Sequence, residues 1–205
     1  MPKRIGIIDY GVGNLTSVKN ALDFISVEVK VCTKCDELDN IHGIILPGVG
    51  SFPAGMQNLE SLGIIPAIID KVKSGLPLLG ICLGMQLLAT SGDEFSLTEG
   101  LGLIPGRVKK LDDQNGNLRI PHIGWNEVVF DECSLAKGLD KEEDFYFVHS
   151  YGFSNSDEDY VKGVSQYGDK VVAIVEKDNI FGTQFHPEKS QKAGLEMLRN
   201  FSNLC

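Results

Sequence analysis

Two short stretches of the chain carry residue types that do nucleophilic chemistry at a usable spacing. Gly80-Ile81-Cys82-Leu83-Gly84 sets a thiol between two glycines, where an apolar run from Leu76 to Ile81 gives way to a helical pattern from Leu83 to Thr90. A turn of the form G-x-nucleophile-x-G reverses the chain so tightly that its central side chain projects above the sheet, and a β-carbon at either glycine would crowd it. The helix start behind Cys82 favours thiolate over thiol, and the backbone N–H of Leu83 points at a developing oxyanion. A buried structural cysteine fits the same turn, because free cysteine is among the most buried residue types.

Phe185-His186-Pro187-Glu188 separates the two readings. In an extended segment residues i and i+2 face one side, so His186 and Glu188 project together while Pro187 stiffens the link. A carboxylate beside an imidazole fixes its tautomer and stabilises its cation. Cys82, His186 and Glu188 thus form a candidate nucleophile, base and orienter. A third stretch, Leu46-Pro47-Gly48-Val49-Gly50-Ser51-Phe52, is glycine-rich, and its backbone N–H groups suit the second half of an oxyanion hole. A plain connecting turn is the simpler account of that stretch.

These residues need a scaffold that brings them together. Lys3 to Asp9 reads as a buried strand, and Leu15 to Ile25 as a helix capped by Asn14. Strands are expected near Glu28 to Val31 and at Gly43 to Leu46, the latter ending in the glycine-rich turn. Pro66 opens a helix that Gly75 closes. Short apolar strands alternating with helices imply a mostly parallel sheet covered on both faces, whose C-terminal loops meet at one edge.

From Arg107 onward strand-like runs follow one another: Asn126 to Phe130, Asp144 to Val148, Lys170 to Glu176 and Ile180 to Phe185. Asn115-Gly116 and Asp178-Asn179 look like hairpin turns. An amphipathic helix begins near Gln191, with Leu195, Leu198 and Phe201 near one face. The expected architecture is one α/β domain over residues 1–205 with an antiparallel extension in its second half.

Composition narrows the chemistry. The 205 residues carry 19 basic and 28 acidic side chains, a formal charge of −9, which argues against a nucleic-acid-wrapping or anionic-membrane surface. No apolar run approaches the roughly 20 residues a membrane span needs. Met1-Pro2-Lys3-Arg4 leads into an apolar stretch that stops at Asp9, unlike a signal or transit peptide, and five scattered cysteines form no disulfide framework. A cytoplasmic location is expected. Tyr10-Gly11-Val12-Gly13-Asn14 begins like a dinucleotide fingerprint, but Thr16 stands where its third glycine belongs; no phosphate loop is present. Cys32-Thr33-Lys34-Cys35 has no second pair to complete a zinc site, so neither metal nor cofactor is expected.

The elbow cysteine, the His-Pro-Glu and the Pro-Gly-Val-Gly loop, in this order, resemble the class I glutamine amidotransferases. Asp9-Tyr10-Gly11-Val12-Gly13-Asn14-Leu15, Pro121-His122-Ile123-Gly124-Trp125-Asn126 and Phe147-Val148-His149-Ser150-Tyr151 extend the resemblance from residue 9 to 190. They narrow it to members that supply ammonia to a (β/α)8-barrel cyclase making imidazole glycerol phosphate and an aminoimidazole carboxamide ribonucleotide in histidine synthesis.

The resemblance implies a flavodoxin-like fold, glutamine as substrate, a glutamyl thioester on Cys82, and a heterodimer with the cyclase. It implies an oxyanion hole from Leu83, Val49 and Gly50, substrate contacts from Gly48, Gln86, Ser150 and Tyr151, and partner contacts from Asn14, Trp125, Tyr151 and Lys189. Asn14 also fits as a mere helix cap, Trp125 as core, and Lys189 as a solvated charge. The same elbow and triad fit a stand-alone thiol hydrolase or peptidase, a paralogous subunit feeding another pathway, or a non-catalytic module with a vestigial site.

Overall fold

The computed structural model describes residues 3–155 and 157–205; Met1 and Pro2 lie outside them. The first half alternates as the apolar pattern requires: β1 Arg4–Ile8, α1 Leu15–Phe24, β2 Glu28–Cys32, β3 Gly43–Gly48, α2 Phe52–Leu62, α3 Ile65–Lys73, β4 Leu78–Cys82 and α4 Leu83–Leu87. The second half is mainly strands: β5 Ala89–Gly92, β6 Thr98–Glu99, β7 Ile104–Lys110, β8 His122–Phe130, β9 Glu142–His149, β10 Tyr151–Phe153, β11 Val161–Tyr167, β12 Asp169–Lys177 and β13 Ile180–Thr183. Helix α5, Gln191–Leu204, follows.

A nine-stranded sheet runs β2-β1-β3-β4-β13-β12-β11-β8-β9. Its first five strands are parallel and the rest antiparallel. Strand alternation divides the core. Ile44 and Leu46 enter one apolar layer with Phe52, Ile68 and Met85, whereas Ile45 joins Ile5, Leu22, Ile81, Leu198 and Phe201 in the other. Helices therefore cover both faces, as a buried parallel sheet demands.

Several expectations are refined. Strand β3 does not stop at Leu46 but continues through Pro47 and Gly48, which pair with Ile81 and Cys82 of β4. The helix after Cys82 ends at Leu87 rather than Thr90. The chain at 100–104 takes the carbonyls a longer helix would use: Leu101 N–H donates to Leu87 O and Leu103 N–H to Leu88 O. Asp178-Asn179 makes the expected hairpin, joining Lys177 and Ile180 of β12 and β13. Asn115-Gly116 makes a turn but no hairpin, because β7 joins a separate sheet, β10-β7-β5-β6, while β8 joins the large one. That smaller sheet and helix α2 have no counterpart in the sequence reading.

Candidate active site

Strand β4 delivers Cys82 at the C-terminal edge of the parallel sheet, with φ 55° and ψ −110°. A non-glycine residue at positive φ is strained by about 1–3 kcal/mol, and the tight turn holds it there. Both flanking glycines are required by contact. A β-carbon on Gly84 would lie 1.7 Å from the Leu46 carbonyl oxygen, and one on Gly80 would lie 2.7 Å from the Gly84 backbone.

Neighbouring strands bring the other predicted groups to the same edge. On one side Gly48 stands opposite Cys82, and the chain continues into Val49 and Gly50, the latter at φ +110°. On the other side β13 pairs Thr183 with Ile81 and leads through Gln184 and Phe185 to His186. His186 Nδ1 lies 2.8 Å from Glu188 Oε1, with both side chains 1% exposed. The segment is not extended as expected: Pro187 opens a short 3-10 turn over Pro187–Lys189, and the Glu188 carboxylate meets the Nδ1 edge of the ring.

His186 Nε2 and Glu188 Oε2 are buried and find no hydrogen-bond partner among the described residues. Burial pushes the imidazole toward neutrality, but the Cys82 thiol and the Glu188 carboxylate outweigh it and raise its pKa to about 9. The cationic ring is therefore the form held at neutral pH. The Cys82 sulfur meanwhile lies 3.8 Å from the Val148 carbonyl and 3.8 Å from Gln184 Nε2.

A cavity of about 260 Å³ opens onto this thiol, lined in part by Val49, Gly50, Leu83, Gln86, Ser150 and Tyr151. Six of the predicted oxyanion and substrate residues thus border one cavity. Gly48 does not line the cavity; it lies behind it, where a β-carbon would meet the Tyr10 hydroxyl at 2.3 Å. Gln86 is buried, and its amide donates to the Tyr151 carbonyl at 2.7 Å and to Gln184 Oε1 at 3.0 Å.

Four lining residues, Glu94, Pro121, Val148 and His149, were not singled out from sequence. Glu94 supplies the carboxylate among the lining residues, and its Oε2 accepts from the Phe52 N–H at 2.8 Å. Its only signal was an acidic turn, Gly92-Asp93-Glu94, with no motif around it. His149 lies in a motif that drew attention for its neighbours rather than for itself.

The residues expected at a partner face lie outside the cavity, Tyr151 excepted. Trp125 is 48% exposed, not core, and meets Tyr146 edge-on at 6.1 Å. The Lys189 ammonium sits 5.8 Å from the same Tyr146 ring, so Trp125 and Lys189 flank one aromatic. Asn14 caps α1 by accepting from the Ser17 N–H at 3.4 Å. Farther off, the Cys32 thiol donates to the Glu37 carbonyl while Cys35 reaches toward the Gly63 carbonyl; the two sulfurs serve separate local contacts. Among the described residues no helix is long and apolar enough to cross a membrane.

Comparison with known proteins agrees with the geometry. The glutamine amidotransferase class-I family model matches residues 6–204. The imidazole glycerol phosphate synthase subunit HisH of Moorella thermoacetica is 45% identical over 201 residues, covering 98% of this chain and 94% of that protein. A subunit HisH 1 from Campylobacter jejuni is 46% identical, covering 98% and 100%. Among solved structures, PurLQS from Thermotoga maritima superposes with a TM-score of 0.77 at 20% identity over 99% of each chain. The glutaminase domain of Trypanosoma brucei CTPS with bound acivicin gives 0.68 at 20% identity over 98% and 94%; these two likenesses concern the fold.

Proposed function

The chain belongs to the class I glutamine amidotransferases, and from that premise we propose that it is the glutaminase half of a two-subunit synthase, releasing ammonia from glutamine for a (β/α)8-barrel cyclase. The observation that carries the reading is the buried His186–Glu188 pair, whose ring is made basic by the Cys82 sulfur and the Glu188 carboxylate together against its burial.

The Cys82 thiolate attacks the carboxamide carbon of glutamine. Charge moving onto the amide oxygen is met by backbone N–H groups of Leu83 and of the Val49–Gly50 segment, worth several kcal/mol when preorganised in a site closed to water. Imidazolium His186 gives its proton to the departing nitrogen, and ammonia leaves. The glutamyl thioester is then hydrolysed by water that neutral His186 deprotonates, restoring the thiolate–imidazolium pair. Glu188 holds the ring and its positive charge throughout.

In this reading Glu94, the carboxylate on the cavity lining, receives the substrate's ammonium group, and Gln86, Ser150 and Tyr151 contact the amino-acid end. The high identity to HisH subunits over nearly the whole chain favours a cyclase partner, with histidine synthesis as the pathway and Trp125, Lys189 and Asn14 on the docking face. Stand-alone thiol hydrolases need no such partner.

The test is a glutaminase assay with and without the barrel cyclase and its nucleotide, using wild type and Cys82→Ala. Strong stimulation of the wild type by the pair is expected. Cys82→Ala should lose glutamine-dependent synthesis while added ammonia still supports it. Full turnover of the isolated chain, or glutamine use by the variant, would remove the assignment.

A further inference from the structure

From the cavity lining at Gln86, Tyr151 and His149 a chain of polar groups that the triad does not use runs into the protein. The Tyr151 carbonyl receives Gln86 Nε2 at 2.7 Å and His149 Nδ1 at 2.8 Å. A carbonyl only accepts, so His149 carries its proton on Nδ1, and in the neutral ring Nε2 is left as a lone pair. That lone pair lies 2.9 Å from His122 Nδ1. His122 is therefore also protonated on Nδ1, and its own Nε2 faces Asn126 Nδ2 at 3.4 Å.

Neutrality of both rings has a physical cause. Burial lowers the His122 pKa to about 4 and, with the nearby His122 and His186 adding to it, that of His149 to about 3. The donors thus point one way, from Asn126 through two imidazoles to the Tyr151 carbonyl. The orientation of Asn126 is set independently: its Nδ2 donates to the Gln166 carbonyl at 3.0 Å, and its Oδ1 accepts from the Glu127 N–H. His122 is clamped between the rings of Phe147 and Tyr167, at centroid distances of 4.6 and 3.9 Å. The β8–β9 register places His122 directly opposite His149.

We propose that His122 and His149 are positioning residues for the glutamine site: their one-way chain of donors holds the Tyr151 carbonyl, and through it the Gln86 carboxamide, in the geometry that receives substrate. The inference rests on the glutaminase reading and specifies which buried groups shape that site. It makes the pocket wall depend on β8, the strand that also carries exposed Trp125.

The test compares His122→Phe with His122→Asn in the complex with the cyclase. Phenylalanine keeps the stacking between Phe147 and Tyr167 but removes the donor; asparagine puts an amide donor near the place of Nδ1. His122→Phe should raise the KM for glutamine about tenfold, the loss of roughly one buried hydrogen bond, with kcat held within about threefold. His122→Asn should recover most of the KM. An unchanged KM in His122→Phe, or an equal rise in both variants, overturns the proposal.

A second measurement needs neither variant nor substrate: nitrogen-15 spectra of the wild-type imidazoles should show Nδ1–H on both rings between pH 6 and 8. Nε2–H on either ring overturns the chain. Failure of the wild-type complex to turn over glutamine would strike the glutaminase reading instead, so the two failures are distinguishable.

Discussion

Gly48 and Cys82 stand opposite one another across the parallel β3–β4 register. One strand ends in the strained Cys82, and the other runs on into the Val49–Gly50 segment that borders the same cavity. Backbone pairing thus sets the spacing between the thiol and the candidate oxyanion donors, and no side chain is needed to hold it.

That arrangement leaves no room at the elbow. Gly84→Ala would drive a β-carbon against the Leu46 carbonyl at 1.7 Å, a backbone atom that cannot swing aside. A loss of ~3 kcal/mol or more in urea unfolding is expected, at the upper end of overpacking costs. Gly48→Ala meets the Tyr10 hydroxyl at 2.3 Å, the far end of a side chain, and should cost less. Equal stability of Gly84→Ala and wild type would contradict the close approach.

The candidate triad was legible because each part is local. Cys82 declares itself by two glycines and a strand-to-helix junction, and His186 and Glu188 by a spacing of two across a proline. The His122–His149 contact is different: it joins residues 27 apart, and only the β8–β9 register brings them together. Glu94 was likewise invisible, since an acidic turn gives no hint of which cavity it will border. The small sheet was missed for a related reason. Its strands β5 and β6 are short, and β5 exists because residues 100–104 capture carbonyls that local propensity would have spent on helix.

Glu188→Gln removes the carboxylate charge but keeps the shape of the side chain. The His186 pKa should fall from about 9 toward its ordinary 6.5, since Glu188 is one of the two groups holding it up. Glutaminase turnover in the complex should drop by about 10³–10⁴, the scale seen when a triad orienter is neutralised. Nuclear magnetic resonance titration of His186 and steady-state kinetics check both. A His186 pKa that stays near 9 would show that the thiol alone sustains it.

The same shift has a consequence for stability. A histidine whose folded pKa lies above its unfolded value binds its proton more tightly when folded, so its contribution is complete below about pH 6.5 and is lost as pH rises through about 9. Comparing wild type with His186→Gln by urea unfolding from pH 6 to 9.5 isolates it. The stability difference should shrink in favour of the variant across that window; a constant difference would mean that His186 binds its proton no more tightly in the folded chain than in the unfolded one.

Trp125 leaves nearly half its surface exposed beside Tyr146 and Lys189, an arrangement suited to an aromatic anchor at an interface. Trp125→Ala should leave the stability of the isolated chain within about 0.5 kcal/mol yet weaken cyclase binding by ~2 kcal/mol or more. Calorimetric titration of one subunit with the other measures it. Unaltered affinity would move the interface elsewhere.

His122 offers a crossover that discriminates donor loss from packing loss. At pH 7.5 His122→Phe should be less stable than wild type by about 1–3 kcal/mol, because His149 Nε2 loses its buried partner. Acid reverses the balance. Burial depresses the folded His122 pKa from 6.5 to about 4, so the unfolded chain binds a proton that the folded chain refuses, and wild type loses stability as pH falls through that interval. By pH 5 the loss is on the order of 1 kcal/mol once solvent screening is allowed for, and phenylalanine does not suffer it. Urea midpoints measured at pH 7.5, 6 and 5 should therefore converge or cross, whereas a gap that stays constant would show that His122 takes up its proton as readily folded as unfolded.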